Sequence, residues 1–484
     1  MLIAILPAAG QVPFALDPTF RAHFDNWYVN SIFPQPDGKV IIAGQIGFPG
    51  AEPLEYTGIA RLNADGSWDP TFSYSQLGNG MITPWNDRFY IASNYVVRRV
   101  FLDGTNDSGY HLGTVQIPYF TPLQVGEYHV YPDGRILMGG SHQVNYPDSN
   151  WVGFYNLIWF TNTGYLDTTR APHGGDGAVN WFEQLPDGKF ICSGAMSQFD
   201  GHATSNIFRV HADGSLDTTF YTGANWGGTA AFLPLADGRC YAAGLFKEAS
   251  GPDTLQLVRF MPDGGLDPSF NNHLRFGITP PLVNPWALGA PGSITQLDAG
   301  RLIIAGTFQD VDGLARGHIC LVDTNGTLLD DYFASGGCGP HFYQGSAYAG
   351  IQDIMFTNDS MCYIWGEYHG YDDGTTDDPD QRFVTRLYGP DFATGAPERA
   401  SEPTINLWPV PATGTLHVGP LGDVRTLAVT DLQGREVLRA PTMGRDEAVL
   451  SIGALAPGSY VLRALDPSTG TGRGGRVLGR FVKD

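Results

Sequence analysis

Residues 36–44 read Pro-Asp-Gly-Lys-Val-Ile-Ile-Ala-Gly, and residues 61–72 read Arg-Leu-Asn-Ala-Asp-Gly-Ser-Trp-Asp-Pro-Thr-Phe. Each stretch combines an Asp-Gly pair with a run of apolar residues. Asp-Gly between apolar runs is a strong hairpin signal, because tight two-residue turns need positive φ angles that these residues tolerate. The two stretches therefore predict short antiparallel strands joined by tight turns.

Both stretches return along the chain in alternation. The first has further copies of varying strength at 85–93, 132–140, 186–194, 236–244, 298–306 and 357–366. The second has clear copies that end at Phe220 and Phe270, degenerate copies that end at Tyr110, Arg170 and Phe333, and a remnant at 386–388. A lone Leu16-Asp17-Pro18-Thr19-Phe20 stands before the first unit. The chain up to about residue 390 is therefore built from seven units.

Seven such units predict an all-β fold, a seven-bladed β-propeller. A four-stranded sheet of this size cannot bury both of its faces alone, so successive sheets must pack on one another. A β-solenoid is the alternative, but its repeats are shorter and lack these hairpins. The segment Leu16–Phe20 is expected to pair into the seventh blade, whose second stretch is truncated, and so to close the ring.

The composition indicates a folded, acidic protein. The chain has 28 Lys+Arg against 49 Asp+Glu, a net charge of −21, and 12% of its residues are aromatic. That aromatic content excludes a disordered chain, and the acidity argues against nucleic acid or an anionic membrane as partner. No stretch is long and apolar enough to span a membrane. The five cysteines lack metal-ligand spacing and are expected to be buried free thiols.

The repeats also resemble a known family. The phrase that runs from Gln35 through Phe72 is similar to the delta-60 repeat, a propeller-type repeat of bacterial surface and secreted proteins. The resemblance extends over about residues 16–390. It implies a propeller fold and a surface or secreted location, and it carries no catalytic residues.

A second domain follows the repeats. We expect the propeller to occupy residues 11–392, a linker residues 393–403, and a small Ig-like β-sandwich residues 404–484, where apolar and polar residues alternate. The sandwich resembles the type A C-terminal sorting domain of the type IX secretion system of Bacteroidetes. The motifs that carry this resemblance are Leu407–Ala412, Val429–Arg435, Leu455–Tyr460 and Phe481–Lys483. It implies that residues 404–484 engage the type IX secretion machinery.

The first residues point to export as well. Residues 1–10 are similar to the apolar back half of a secretory signal peptide, without a basic segment before it. We therefore expect the protein to pass through the periplasm and to be secreted or displayed on the outer cell surface. A monomer is the expected state.

One end of the predicted propeller carries the long, unequal connections, while the Asp-Gly turns lie at the other end. Variable loops on a rigid scaffold are common recognition sites. Aromatic rings beside carboxylates suit sugars, whose C–H faces stack on rings. The rings could also pack loops onto the blades. The candidate ligand-binding residues at this end are Trp151, Trp226, Trp286, Tyr343, Tyr368 and His369.

An acidic segment near the end of the propeller could hold Ca²⁺, which binds six to eight oxygen ligands. Its carboxylates are Asp372, Asp373, Asp377, Asp378 and Asp380. The spacing does not match an EF-hand, and a solvated acidic loop is the alternative. No other cofactor is expected.

Known catalytic motifs are absent, and the function that the sequence favours is binding or adhesion, with a carbohydrate or protein ligand on the long-loop end. The recurring Asp69, Asp167, Asp217, Asp267 and Asp330 are interpreted as local backbone-bonding elements. A glycan-active hydrolase or lyase stays open, with Glu183 on a predicted innermost strand as its candidate acid. A purely structural surface-layer protein is the other alternative.

Overall fold

A computed structural model describes most of the chain. In the first of two compact units, Met1–Ala393, it describes residues 12–24, 27–47, 56–73, 78–93, 95–248, 254–278, 289–343 and 346–390. In the second unit, Thr394–Asp484, it describes residues 406–408, 412–419, 421, 424, 426–431, 435–442, 447–465 and 476–483. The predicted signal segment and linker lie outside these residues.

Sheets 1 to 3 follow one another along the chain, and their strands are antiparallel. They consist of β1 (Trp27–Pro34), β2 (Val40–Ile46) and β3 (Thr57–Leu62); β4 (Ile82–Trp85), β5 (Arg88–Ala92) and β6 (Val97–Phe101); and β7 (Phe120–Val130), β8 (Ile136–Tyr146), β9 (Trp151–Tyr155) and β10 (Ile158–Phe160). A 3-10 turn, Pro147–Ser149, joins β8 to β9.

Sheets 4 to 7 continue the series, with small separate sheets between them. The stretch of chain that holds sheet 4 contains β11 (Trp181–Gln184), β12 (Phe190–Ser193), β13 (Gln198–Phe199), β14 (His202–Ala203) and β15 (Ile207–Val210), and sheet 5 consists of β16 (Ala224–Pro234), β17 (Cys240–Glu248) and β18 (Thr254–Phe260). The stretch of sheet 6 contains β19 (Phe276–Gly277), β20 (Pro291–Gln296), β21 (Arg301–Gly306), β22 (Asp310–Val311), β23 (Leu314–Ala315), β24 (Ile319–Asp323) and β25 (Leu328–Leu329). The stretch of sheet 7 contains β26 (Gly337–Gly339), β27 (His341–Tyr343), β28 (Ser346–Tyr348), β29 (Gly350–Phe356), β30 (Met361–Asp372) and β31 (Asp377–Tyr388). The pairs β13–β14 and β27–β28 and the set β19–β22–β23 are the small sheets.

The sheets of the first unit form a closed ring. Each sheet contacts the next one along the chain, through β1 and β4, β5 and β7, β7 and β11, β11 and β16, β16 and β20, and β20 and β29, and β1 contacts β30 of sheet 7. Sheets 7 and 1 share an apolar cluster in which Trp365 and Val384 meet Ile32. The indole nitrogen of Trp365 also donates a hydrogen bond to the carbonyl of Asn30 at 3.0 Å. The all-β propeller prediction is confirmed, and the described residues contribute seven sheets to the ring.

The N-terminal segment completes sheet 7, as the sequence predicts. Leu16 forms an antiparallel bridge with Leu387 at the free edge of β31. Beside it, the guanidinium of Arg386 donates to the Asp17 carboxylate at 2.6 Å. The ring is therefore closed by pairing between the two ends of the propeller sequence.

An Asp-Arg pair of the same kind recurs within individual sheets. In sheet 4, one oxygen of Asp217 accepts hydrogen bonds from the Thr219 backbone N–H at 3.0 Å and hydroxyl at 2.6 Å. The other oxygen accepts from Arg209 and Lys189, both at 2.8 Å. Asp69 and Asp267 make equivalent sets of bonds, and Asp167 makes the two local ones. These carboxylates are structural, as expected, although Asp330 differs because it is exposed and pairs with Arg316 alone among the described residues.

The five cysteines match expectation. All five thiols are free and buried.

The second unit has the strands β32 (Asn406–Trp408), β33 (Thr415–Gly419), β34 (Thr426–Thr430), β35 (Glu436–Pro441), β36 (Ala448–Ser451), β37 (Gly458–Leu465) and β38 (Arg476–Lys483). They form two antiparallel sheets, β32–β33–β36 and β35–β34–β37–β38. Both sheets contribute residues such as Leu416 and Leu427 to one core, so this unit is a small β-sandwich.

The Asp217 network yields a stability prediction. Burial alone would raise the pKa of Asp217, but hydrogen bonds from Lys189, Thr219 and Arg209 outweigh it and hold the pKa well below its usual range. The network therefore stabilises the fold above pH ~4, and this contribution is lost as the pH falls further. Asp217→Ala also leaves the buried Arg209 unpaired and should lower the free energy of unfolding by about 3 kcal/mol at pH 7, measured by urea denaturation.

The control is Asp187→Ala, because the Asp187 side chain is 57% exposed and lies in the tight turn of the same sheet. It should cost less than about 1 kcal/mol. Equal losses in the two variants would contradict the assignment of Asp217 as the residue that locks the outer edge of the sheet.

Candidate functional site

A cavity of about 680 Å³ lies at the centre of the ring. Its wall is formed by the beginnings of first strands, at residues 28–30, 290–292 and 349–352, and by the ends of the adjacent second strands, near Gly244 and Thr307. First strands begin and second strands end at the end of the propeller that carries the long connections. The cavity is therefore the mouth of the central channel on the predicted recognition end.

Glycines keep this mouth open. The glycine that closes the first repeated stretch stands opposite a bulge in the neighbouring first strand, as at Gly44, Gly306 and Gly366. A Cβ atom would come within 2.1 Å of the Tyr28 carbonyl oxygen at Gly44, and within 2.2 Å of the Gly350 carbonyl oxygen at Gly366. Only glycine fits so close to another backbone. Much of the cavity wall consequently consists of backbone, which leaves room for a ligand.

A few polar side chains line the cavity. They are Tyr28 and Asn30 on β1, Gln352 on β29 and Glu367 on β30. Burial raises the pKa of Tyr28, and the nearby Glu367 carboxylate adds to the shift. The phenol is therefore neutral at physiological pH and can donate a hydrogen bond. The Asn30 amide donates to the Asn79 carbonyl at 2.7 Å, which fixes its oxygen for other partners.

Two histidines lie behind Glu367. The Nδ1 atom of His341 is 3.9 Å from Oε1 of Glu367, and the rings of His341 and His369 are 4.6 Å apart. Both rings also pack edge-on against Phe383. His369, one of the sequence-predicted residues, is thus part of the support of the cavity wall, beside a carboxylate that the sequence reading did not single out.

The other predicted aromatic residues have different positions. Trp151 is half-buried on β9, where its ring packs on Tyr146 at 5.5 Å. Tyr368 is fully buried, and its hydroxyl donates to Thr385 at 2.9 Å. The expectation of an exposed Tyr368 ring is wrong, because the residue lies on β30 and points into the blade core. Trp286 and the side chains of Trp226 and Tyr343 lie outside the described residues.

The acidic segment binds the N-terminal segment. Asp373 accepts a hydrogen bond from the Leu16 backbone at 2.8 Å and further bonds from Thr375. Asp378 accepts from Arg21 and Gln381, and Asp372 accepts from the Gly374 backbone. Asp377 and Asp380 are exposed. Within the described residues, no three His, Cys, Asp or Glu side chains converge as metal ligands, so the geometry gives the Ca²⁺ prediction no support.

Three carboxylates on first strands have raised pKa values. Partial desolvation raises the pKa of the half-buried Glu127 to about 7, with a contribution from Glu183, and it raises the pKa of Glu183 as well, although that side chain keeps contact with solvent. Burial also raises the pKa of Asp353 to about 6. Glu183 lies on the first strand of sheet 4, as predicted, next to the strand that carries Glu127.

The sequence reading missed Glu127 and Asp353, although a signal was present. Asp353 directly follows the bulge of its first strand, and Glu127 lies in the irregular stretch between Val125 and Tyr128. Sheets 1, 5 and 6 have Ser31, Ala231 and Ser293 at the corresponding position. An acid where three other units have a small residue is a departure that an alignment of the units would have revealed.

Comparisons with known proteins agree with this architecture. Residues 35–72, 185–220, 235–270 and 300–328 match a family model described as a domain of unknown function (DUF5122) beta-propeller. Residues 406–471 match the secretion system C-terminal sorting domain. The chain therefore carries repeats of this propeller type and a sorting domain, which marks it for export to the cell surface or for secretion. None of the curated proteins compared with the chain matches it.

Solved structures with a similar course of the chain have low identity. One is PorZ, a surface component of the type-IX secretion system of Porphyromonas gingivalis, with 12% identity, 95% of this chain and 66% of that chain covered, and a TM-score of 0.34. Another is the extracellular domain of a putative one component system from B. thetaiotaomicron, with 10% identity, 97% and 57% covered, and a TM-score of 0.39. This chain spans less than two thirds of either protein. An oligogalacturonate lyase from Vibrio parahaemolyticus has 12% identity, 78% and 93% covered, and a TM-score of 0.41. Among the described residues of our chain, no helix has the length and apolarity that a membrane crossing requires.

The raised pKa of Glu127 predicts a pH-dependent cost to stability. A folded pKa of about 7, above the unfolded value near 4, means that the carboxyl group destabilises the fold progressively as the pH rises from about 4 to 7. Glu127→Gln should therefore raise the free energy of unfolding by about 1–3 kcal/mol at pH 8 and by much less at pH 4. Thermal and urea unfolding at both pH values measure this difference.

Asp87→Asn serves as the control, because the Asp87 side chain is 73% exposed. It should change stability by less than about 0.5 kcal/mol at both pH values. A Glu127→Gln effect that is independent of pH would argue against a half-buried, titrating carboxyl group at the channel wall.

Proposed function

We propose that this exported propeller, with its DUF5122-type repeats and C-terminal sorting domain, is a binding or adhesion protein that takes a carbohydrate at the channel mouth. The observation that carries the proposal is the cavity of about 680 Å³ with Tyr28, Asn30, Gln352 and Glu367 on its wall. Its volume lies within the range of small-ligand sites.

The chemistry of the wall suits a sugar. Asn30 and Gln352 offer amide groups, and Glu367 offers a carboxylate that can accept hydrogen bonds from hydroxyls. Leu245, which is half-buried, offers apolar surface for the C–H groups of the sugar ring. Glu367 and the net charge of −21 favour a neutral sugar over a uronate, because like charges repel.

A glycan-active hydrolase or lyase is the second candidate. It is favoured by Glu127, Glu183 and Asp353, because glycosidases need a carboxylic acid whose raised pKa keeps it protonated near neutral pH. In that case, a bound oligosaccharide would be cleaved, and Glu127→Gln or Glu183→Gln would abolish cleavage while binding persists.

The binding proposal is tested with the purified full chain on a glycan array, followed by calorimetric titration of the bound sugar. Gln352→Ala should weaken binding about tenfold, since one lost hydrogen bond to the ligand is worth about 1 kcal/mol or slightly more. The matched control is Gln296→Ala, which removes an exposed glutamine at the far end of first strand β20 and should leave binding unchanged.

Other outcomes on the array each have a meaning. Release of shorter products from a bound glycan would favour the enzyme candidate. An array without any hit, together with capture of a protein ligand through the channel mouth, would overturn the carbohydrate proposal. A blank array with no protein ligand would favour the structural surface-layer alternative.

The sorting domain yields a separate prediction. Deletion of residues 404–484 should leave the propeller folded and held in the periplasm, because the segment that engages the type IX secretion machinery is gone. Cell fractionation and protease accessibility of intact cells measure this, with the full-length protein as control. Normal surface display of the truncated chain would contradict the assignment of the sorting function to this domain.

A further inference from the structure

Sheet 3 extends beyond the ring at the long-loop end and presents an exposed face. The extension consists of the start of β7, the end of β8 and β9, paired in register. Thr121 stands opposite Gln143, Gln143 opposite Phe154, and Asn145 opposite Val152. Since side chains alternate between the faces of a sheet, these five residues share one face, which we call the sheet-3 platform.

The other face of the same extension is firmly packed. Phe120 and Val144 are buried in the core of the blade. Trp151 and Tyr146 pack on each other along this inner face. Trp151, a predicted ligand contact, therefore supports the platform from below, and the platform is a preformed surface.

The exposed face mixes apolar side chains with exposed amides. Phe154 is 63% exposed and Val152 is 61% exposed. The side chains of Gln143 and Asn145, which stand between them and β7, make no hydrogen bond within the part of the chain that the structure describes. An exposed apolar strip beside amides that are available to a ligand is typical of a binding face.

A strained residue lies at the edge of the platform. Tyr119, directly before β7, has a φ of +67°, a conformation that aromatic residues rarely adopt. The backbone N–H of Asn145 donates to its carbonyl at 2.8 Å, and its ring packs on Tyr146 at 4.8 Å. These contacts hold the Tyr119 ring, which is 49% exposed, beside the platform. Such strain is concentrated at functional sites.

The surroundings of the platform are almost free of charge. Residues 111–124 and 141–156, which contain it, hold a single charged side chain, Asp148, in a chain of net charge −21. An uncharged partner fits this surface, because it meets neither repulsion nor a buried unpaired charge. A protein with an apolar face would leave Gln143 and Asn145 unsatisfied, whereas a polysaccharide offers hydroxyls to the amides and C–H groups to Phe154.

We propose that the sheet-3 platform binds an extended, uncharged polysaccharide. An open sheet face fits a long chain laid across the strands. The platform is a site separate from the channel mouth, whose wall comes from sheets 1, 5, 6 and 7. The inference therefore does not depend on the function proposed for the cavity.

The test is affinity electrophoresis of the full chain in gels that contain galactomannan, xyloglucan or hydroxyethyl cellulose, with polygalacturonate as the charged counterpart. At least one neutral polysaccharide should retard the protein. Phe154→Ala combined with Gln143→Ala should weaken the interaction about tenfold, because a stacking surface and its neighbouring amide are lost together. Unchanged circular dichroism and thermal unfolding would show that this surface variant is folded.

The matched control is Tyr221→Ala, which removes a ring that is 64% exposed next to the Asp-Gly turn of sheet 5 at the other end of the propeller. It should bind like the unmodified protein. Retardation by none of the neutral polysaccharides, or equal binding by the platform variant, would overturn the proposal.

Two further results would also overturn it. Retardation by polygalacturonate alone would assign a charged ligand, and a dimer in sedimentation that depends on Phe154 would assign the platform to a second copy of the chain. The Gln352→Ala variant distinguishes the platform from the channel mouth. The polysaccharide should retard this variant as much as the unmodified protein, whether or not the channel mouth binds a sugar.

Discussion

The hydrogen bond from Arg386 to the carboxylate of Asp17 joins the two ends of the ring, and it has the same form as the Asp-Arg pairs inside the sheets. Each such carboxylate accepts hydrogen bonds from the residue two positions later and from an arginine on the neighbouring strand. These bonds fix the outer edge of the sheet, where only a single β-bridge joins the two backbone segments. Leu16 and Asp17 give sheet 7 the edge that its own sequence lacks. Without this closure, sheets 1 and 7 would expose the apolar faces that now meet around Trp365.

A second constraint is steric and acts at the centre. The glycine that closes the first repeated stretch, as at Gly44, Gly306 and Gly366, permits a bulge in the paired first strand. The channel mouth is consequently lined by backbone, and the few side chains that project into it stand out chemically. Glu367, supported by the paired rings of His341 and His369, is the clearest case. A repeat that is conserved in this way leaves a small number of positions where a ligand can be recognised.

The sequence predicted the fold because the repeat is local: Asp-Gly turns, apolar runs and the closing glycine are all read within ten residues. It also predicted the closure by Leu16–Phe20, because the truncated seventh unit lacked that segment. The site was harder to predict. Tyr368 was assigned to a loop because the length of β30 is not encoded in its hydrophobic pattern, and Glu127 was missed because its burial depends on the neighbouring sheet. The sheet-3 platform could not be predicted from the sequence for the same reason, since Phe154 and Gln143 become neighbours only through the register of β8 and β9.

The closure of the ring also limits the order in which the parts of the propeller can assemble. Asp17 and Arg386 are 369 residues apart, so theirs is the longest-range Asp-Arg pair among the described residues. Bringing such distant segments together costs about 5 kcal/mol of chain entropy, which the other sheets offset only once they have formed. A chain made from its N-terminus must keep residues 14–20 available, as an unpaired strand, until the last blade has emerged. The ring can therefore close only after the last strand of the seventh blade has been made.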